Sequence, residues 1–330
     1  MTHRRPTARR WLLLGLKLLV VAALAWFIRD TLVKAWEQIA RRQWRFDAGW
    51  LAVSGGLYAM GLLPAGWYWW RVLRALGQDA RLGETLRAYC IGHLGKYVPG
   101  KAMVVLLRAG LVRSQRVHMG VAAASVFFET LTMMAVGSFL AGGVLAWRMA
   151  TEDFALAEDH NPHLLFWGLI AMMAVSGLPT VPPLFRRLSR RAGVGRSDPE
   201  TAAKLSGLGY RVLGLGWLAM ALAWVILGAS LWATFRAMGI EVALFAHLPD
   251  YTAVVALALV AGFLSMIPAG FGVRDVLLVA LNVKFFGAFG VDEGTAALSA
   301  ALLRVVWLVA ELVISGILYA AVRERKPGVP

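Results

Sequence analysis

The stretch "GHLGKYVPGK" (92–101) interrupts an apolar part of the chain with glycines, a proline and positive charge. Apolar and aromatic residues recur at helical spacing before it, and "AMVVLLRAGL" follows it. This pattern predicts an amphipathic helix, a break at Pro99 and Gly100, and a second short helix. Because proline favours the first position of a helix, Lys101 is expected in a first turn, where free N–H groups and the helix dipole attract anions. Arg108 falls two turns later on the same face, so the two cations would form a strip roughly 10 Å long that suits a phosphate.

Lys96 and Tyr97 lie on the other side of this break. We group them with Lys101 and Arg108 as candidate contacts to an anionic group. The alternative is that the lysines only extend along apolar surface towards charged lipid head groups.

A second break of the same kind occurs in "FLSMIPAGFGVRDVLLVAL" (263–281). Its backbone-breaking residues are Pro268, Gly270 and Gly272. The glycines allow the backbone to turn sharply, and a short apolar helix is expected to follow them. Arg274 and Asp275 then fall near the start of that helix. Two short segments interrupted by glycine and proline are typical of a transporter binding site, whereas two kinked helices with local ion pairs are the alternative.

Three further charged residues lie inside apolar runs. Glu129 occurs in "ASVFFETLTMM", and Arg304 and Glu311 occur seven residues apart in "LLRVVWLVAEL", which places them on one helical face. Charges within such runs are costly, and they usually face a cavity or a partner. We expect Arg304 to join the anion-binding residues and Glu129, Asp275 and Glu311 to balance the charge or carry a proton; for Glu129, structural pairing with an arginine is favoured.

The elements that must position these residues are membrane helices. The chain has 330 residues, of which 59% are hydrophobic and only 16% charged, whereas soluble domains are about 45–50% apolar and about 25% charged. We therefore predict an all-α polytopic membrane protein with about eight hydrophobic segments, two of them broken and re-entrant. The segments are 11–28, 48–70, 119–147, 163–184, 208–235, 251–267, 273–291 and 296–322. Residues 11–322 would form one integral membrane domain, between a basic tail at 1–10 and a second tail at 323–330.

The distribution of Lys and Arg predicts the orientation. The N-terminal tail, the segment 185–211 and the C-terminal tail are basic, which places both termini in the cytoplasm and the protein in the cytoplasmic membrane. The segment 148–161 is acidic and should face out. The segment 29–47 conflicts with this scheme, because it is basic and yet the scheme places it on the outer side of the membrane. The net charge of +15 comes mostly from these basic flanks. Attraction of the flanks to anionic phospholipid accounts for it, so no nucleic-acid partner is expected.

In combination these residues resemble the lysylphosphatidylglycerol synthase transmembrane-region family of flippase-like membrane proteins. The resemblance rests on "GKYVPGK" followed by Arg108, then Glu129, "IPAGFGVRD" and Arg304. It implies an all-helical fold with re-entrant segments and a role in moving lipid across the bilayer. The best-known member, the multiple peptide resistance factor, carries a soluble synthase domain after this region; this chain ends at "RERKPGVP", so synthesis of aminoacyl lipid is not expected. The chain also has Asp275 where many relatives carry glutamate, which keeps the charge but shortens its reach.

The expected function is therefore transport of an anionic phospholipid or a polyprenyl phosphate, without cofactor or metal. No nucleotide-binding or hydrolase motif is present, so movement would be downhill or ion-coupled. Two alternatives remain. The first is a membrane-embedded glycosyltransferase or lipid transferase that uses Glu129 or Asp275 as a base. The second is a non-transporting, lipid-binding partner of a lipid- or glycan-modifying enzyme.

Overall fold

The computed structural model describes residues 45–97, 102–112, 117–151, 162–191, 203–265, 267, 270 and 272–323. These residues are predominantly helical, which confirms the all-α class. The α-helices are α1 (Ala48–Ala75), α2 (Leu82–His93), α3 (Ala102–Val112), α4 (Met119–Thr151), α5 (Pro162–Gly177), α6 (Pro182–Arg191), α7 (Tyr210–Ala237), α8 (Leu244–Leu264), α9 (Val273–Phe286) and α10 (Glu293–Arg323).

Five of these helices, α1, α4, α7, α8 and α10, are long and apolar enough to cross a membrane. The protein is thus a multi-pass membrane protein, although the expected count of eight segments is not established by the described residues. The predicted run at 11–28 lies outside them. The run at 163–184 is divided, because α5 ends at Gly177 and a short 3-10 turn containing Pro179 separates it from α6. The run at 273–291 contains only the 14 residues of α9, about 20 Å of helix against a hydrocarbon core of about 30 Å.

The start of α8 was predicted wrongly. The apolar run was placed at 251–267, but the helix begins at Leu244 and ends at Leu264. Asp250 is buried inside the helix, where Arg148 at the end of α4 donates to its carboxylate. An ion pair whose two charges cancel can therefore be buried between two packed apolar helices.

The helices α1 and α7 form an antiparallel pair through the centre of the molecule. The backbone N–H of Asp47, which caps the start of α1, donates to the carbonyl of Ala237 at the end of α7 (3.0 Å). Near the start of α1, the Ser54 hydroxyl contacts the Ser230 and Thr234 hydroxyls at 3.0 and 2.9 Å. Small hydroxyl residues allow the two helices to approach closely while satisfying one another's polar groups.

The first break is a helical hairpin in which α2 and α3 pack against each other. The short 3-10 turn Leu94–Tyr97 continues α2. A Cβ atom on Gly95 would lie 2.9 Å from the Cα of Val104, so the close approach of the two arms requires glycine at this position. The expected helix before the break and the short helix after it are both present, while Pro99, Gly100 and Lys101 lie outside the described residues.

The second break joins α8 to α9. Gly270 and Gly272 have φ angles of 64° and 83°, which confirms the predicted sharp turn because only glycine adopts such angles without strain. A Cβ atom on Gly270 would also lie 2.8 Å from the Cα of Gly262. Pro268 lies outside the described residues.

Both breaks are adjacent to the middle of α10. The first hairpin runs antiparallel to the C-terminal half of α10, since the Ser315 hydroxyl donates to the carbonyl of Cys90 (3.4 Å) and Lys96 contacts Glu311. The helix α9 runs antiparallel to the N-terminal half, since the Asn282 amide donates to the Ser299 hydroxyl (3.1 Å). The two arms thus come from opposite ends of the 31-residue helix α10 and meet about halfway along its length.

Candidate functional site

A cluster of charged residues lies where the two breaks meet α10. We call it the central cluster and define it as Lys96, Arg274, Asp275, Arg304 and Glu311. Arg304 and Glu311 lie on one face of α10, as their spacing predicted. The structure therefore brings together five of the residues that the sequence singled out, from three separate segments.

The first ion pair of the central cluster joins the hairpin to α10. The Lys96 Nζ atom lies 2.5 Å from the Glu311 Oε1 atom, and the Glu311 side chain is fully buried. The hydroxyl of Tyr58, on α1, donates to the same carboxylate oxygen. Tyr97, which the sequence grouped with Lys96, also interacts with Glu311 through its hydroxyl. One buried carboxylate thus holds α1, α10 and the tip of the hairpin together.

The second ion pair joins α9 to α10. Arg304 Nη1 lies 3.0 Å from Asp275 Oδ2, and both side chains are partly exposed. Asp275 also accepts a hydrogen bond from the backbone N–H of Gly272 (3.1 Å), so the carboxylate caps the start of α9. The prediction that Asp275 lies near a helix start is confirmed.

Arg274 is the member of the central cluster that has no direct ion-pair partner within the described part of the chain. Its side chain is buried, and its guanidinium lies 4.8 Å above the ring of Trp307 on α10. Among the described residues, its Nε and Nη2 atoms have no hydrogen-bond partner. A buried guanidinium with unmet N–H groups is costly unless an acceptor is supplied.

The two ion pairs of the central cluster, Lys96–Glu311 and Arg304–Asp275, interact electrostatically. Lys96 interacts with the charges of Arg274 and Arg304 as well as with Glu311. Trp307 connects the two sides of the cluster physically, because its ring stacks on Tyr58 at a centroid distance of 4.5 Å while Arg274 lies on it. Three cationic side chains face two anionic ones, Asp275 and Glu311, which leaves one positive charge in excess among the described members.

Arg108 and Glu129 form a separate buried ion pair. Arg108 Nη1 lies 2.8 Å from Glu129 Oε2, and both side chains are almost completely buried. The guanidinium lies 3.8 Å from the ring centroid of Tyr89, whose hydroxyl donates to the other Glu129 oxygen (3.2 Å). The structure thus gives Glu129 an arginine partner, as the sequence favoured, and turns Arg108 towards that partner. Whether Arg108 forms a strip with Lys101 lies outside the described residues.

Four aromatic residues at these sites were not recognised as site residues from the sequence: Tyr58, Tyr89, His93 and Trp307. Each lies in an apolar or amphipathic helix, where an aromatic ring indicates ordinary core packing. No spacing signal distinguishes them, because their roles depend on which helices become neighbours. His93 lies between the two ion pairs, with Arg108 on one side and Glu311 on the other.

A third polar group clamps α4 to α8 at the far end of α4. Arg148 Nε donates to Asp250 Oδ1 (3.0 Å), and His247 Nδ1 lies 2.9 Å from Asp250 Oδ2. Arg148 is near the C-terminal end of α4, whereas Glu129 is nearer the N-terminal end. The group is therefore separate from the Arg108–Glu129 pair. Within the described ranges, no three His, Cys, Asp or Glu side chains lie together as a metal-ligand set.

Comparison with known proteins assigns the chain to a family. The profile of the family described as "Lysylphosphatidylglycerol synthase TM region" matches residues 14–315, which include both breaks and the central cluster. No curated protein matches the chain. Because the match extends over most of the sequence, the chain belongs to the lysylphosphatidylglycerol synthase TM region family.

Proposed function

We propose that this protein carries an anionic lipid, a phospholipid or a polyprenyl phosphate, across the membrane, with the head group held in the central cluster. The observation that carries the proposal is Arg274, a buried guanidinium with two N–H-bearing atoms that lack a partner among the described residues. The planar guanidinium group matches the geometry of a phosphate and can bind two of its oxygens at once. One phosphodiester charge would also neutralise the single excess positive charge of the cluster.

The proposal includes the re-entrant architecture. The α2–α3 hairpin and the α8–α9 turn each reverse beside the middle of α10, where Glu311 and Trp307 lie about 27 and 21 Å from the start of that helix. Irregular backbone at such a depth is tolerated when it is covered by protein or lines a cavity. Half-helices that meet near the membrane midplane are the arrangement that places a binding site at equal reach from both leaflets.

Reconstitution in liposomes tests the proposal. Fluorescent phosphatidylglycerol in the inner leaflet should become accessible to a membrane-impermeant quencher faster in vesicles that contain the protein than in empty vesicles. Mass spectrometry of the same vesicles separates the other classes: a new lipid product indicates a transferase, and neither exposure nor product indicates a binding partner of another enzyme. Native mass spectrometry of the purified protein distinguishes a bound phospholipid from a bound polyprenyl phosphate.

We expect Asp275→Asn to tighten head-group binding and to slow translocation. The substitution removes one negative charge that competes with the head group for the cluster's cations, while the asparagine oxygen still caps Gly272. Tighter binding of the ground state with slower release is measured by titration with soluble short-chain phosphatidylglycerol and by the liposome assay. Weaker binding in this variant would contradict competition between the acid and the head group.

The orientation is tested with two cysteines, one in α6, which precedes α7 in sequence, and one just after α7. In a Cys90→Ala background, Arg190→Cys replaces an exposed residue of the basic helix α6, and Glu241→Cys replaces a side chain that is 80% exposed beyond α7. Because basic segments face the cytoplasm, we expect an impermeant thiol reagent to label position 241 in intact cells and to leave position 190 unlabelled until lysis. The reverse pattern would invert the proposed topology.

A further inference from the structure

His93 lies between the two buried ion pairs and contacts one with each ring nitrogen. Its Nδ1 atom lies 3.1 Å from Arg108 Nη2, and its Nε2 atom lies 3.8 Å from Glu311 Oε1. The ring stacks on Tyr89, at a centroid distance of 6.0 Å. A polar chain therefore runs from Glu129 through Arg108 and His93 to the central cluster.

The contact with Arg108 determines the protonation state of His93 in this arrangement. A guanidinium has only N–H donors, so the Nδ1 atom must accept and cannot carry a proton. The imidazole is then neutral, and its single proton is on Nε2, the nitrogen that faces Glu311. A proton added at Nδ1 would replace this acceptor with a donor, and Arg108 would retain Glu129 but lose His93.

The charged groups around His93 lie on several elements. Arg108 on α3 and Lys96 at the hairpin tip are the cations, and both act electrostatically on the imidazole. Glu311 on α10 is the anion, and it is already bound to Lys96. Tyr89 on α2 is neutral and stacks on the ring. Glu129 on α4 is a second anion and is bound to Arg108, so the nearby cations and anions are equal in number. Burial of the ring is the largest influence on it, and with the two neighbouring cations it favours the neutral imidazole.

An anion in the central cluster changes this balance. A phosphate bound at Arg274 and near Lys96 adds a negative charge on the side of His93 that faces Glu311, and in a site of low dielectric such a charge acts over several ångströms. We infer that binding of an anionic head group is coupled to uptake of one proton by His93. The proton comes from the aqueous phase and binds Nδ1, the imidazole becomes an imidazolium, and no other bond is formed or broken. By linkage, a proton on His93 must strengthen head-group binding by the same factor.

This coupling rests on the proposed function, and it gives lipid transport an energy source, the proton gradient. A carrier that takes up a proton with each head group moves lipid in response to a proton gradient as well as to the lipid gradient. It also makes His93 a positioning residue for transport, because its protonation alters the contact that holds Arg108 and the α2–α3 hairpin.

The test uses soluble short-chain phosphatidylglycerol, whose phosphodiester stays ionised between about pH 5.5 and pH 8, the range in which histidine titrates. For the full-length protein, affinity should rise as pH falls, by at most about tenfold per pH unit, the slope for one proton. His93→Asn should remove this slope, because the asparagine oxygen still accepts from Arg108 but does not titrate. His118→Gln, which replaces an exposed histidine before α4, should keep it.

A measurement on the unaltered protein covers the case in which His93→Asn does not fold. Calorimetric titration in two buffers of different ionisation enthalpy gives the number of protons taken up per head group. Uptake of a substantial fraction of one proton near neutral pH supports the inference, and no uptake at any pH overturns it. A slope that survives in a folded His93→Asn protein also overturns it. Failure of phosphatidylglycerol to bind at any pH would instead refute the anionic head-group site, and the coupling with it.

Discussion

Replacing Arg274 with methionine is expected to reduce phosphatidylglycerol binding and translocation roughly 10- to 150-fold without loss of stability. A hydrogen bond to a charged group contributes about 1.5–3 kcal/mol, which corresponds to that range. Methionine retains apolar packing on Trp307, and it removes a buried charge that lacks a hydrogen-bonding partner among the described residues. The thermal midpoint in detergent should therefore stay the same or rise. Binding is measured by titration with the short-chain lipid, and translocation by the liposome assay.

The matched control for this substitution is Arg187→Met. Arg187 is an exposed residue of the basic helix α6, so the control removes the same charge from the surface. It should change the affinity little, and the small change should vanish at high salt. Equal losses in the two variants would show that bulk positive charge, and not the central cluster, attracts the lipid.

Glu129→Gln is expected to be strongly destabilising, by about 3–5 kcal/mol, because it leaves the Arg108 charge buried without its anionic partner. The double variant Arg108→Met, Glu129→Leu should recover much of this loss, since an apolar pair of similar volume replaces both charges. Unfolding of the purified variants in detergent measures both effects. A double variant no more stable than the single one would contradict a pairing role.

Two comparisons sharpen this prediction. Glu241→Gln breaks the exposed pair with Arg236 and should cost no more than about 1 kcal/mol. The double variant at positions 108 and 129 should then be assayed for translocation. If it is stable and active, the pair is structural, whereas a stable but inactive protein would give Glu129 or Arg108 a part in transport.

The composition and the two Pro/Gly breaks made much of this protein predictable. Apolar runs of about 20 residues are typical of membrane helices, and the short helices around each break follow from local preferences of proline and glycine. The family could also be recognised, because two of its characteristic features are short continuous motifs, "GKYVPGK" and "IPAGFGVRD". Charged residues in apolar runs were predictable as site candidates for the same reason, since Glu129, Arg304 and Glu311 are too costly there without a partner.

The partners themselves were decided by the tertiary structure. Nothing local in the sequence states that Lys96 meets Glu311, 215 residues away, or that Arg108 turns to Glu129 instead of to a ligand. The same holds for Tyr58 and Trp307, whose sequence signal is that of any core aromatic. Which helices pack together depends on how all their surfaces fit, and only that packing shows that Arg274 is buried beside the paired charges. The sequence by itself thus determined which residues are too polar for their surroundings, and the fold decided which of them satisfy one another.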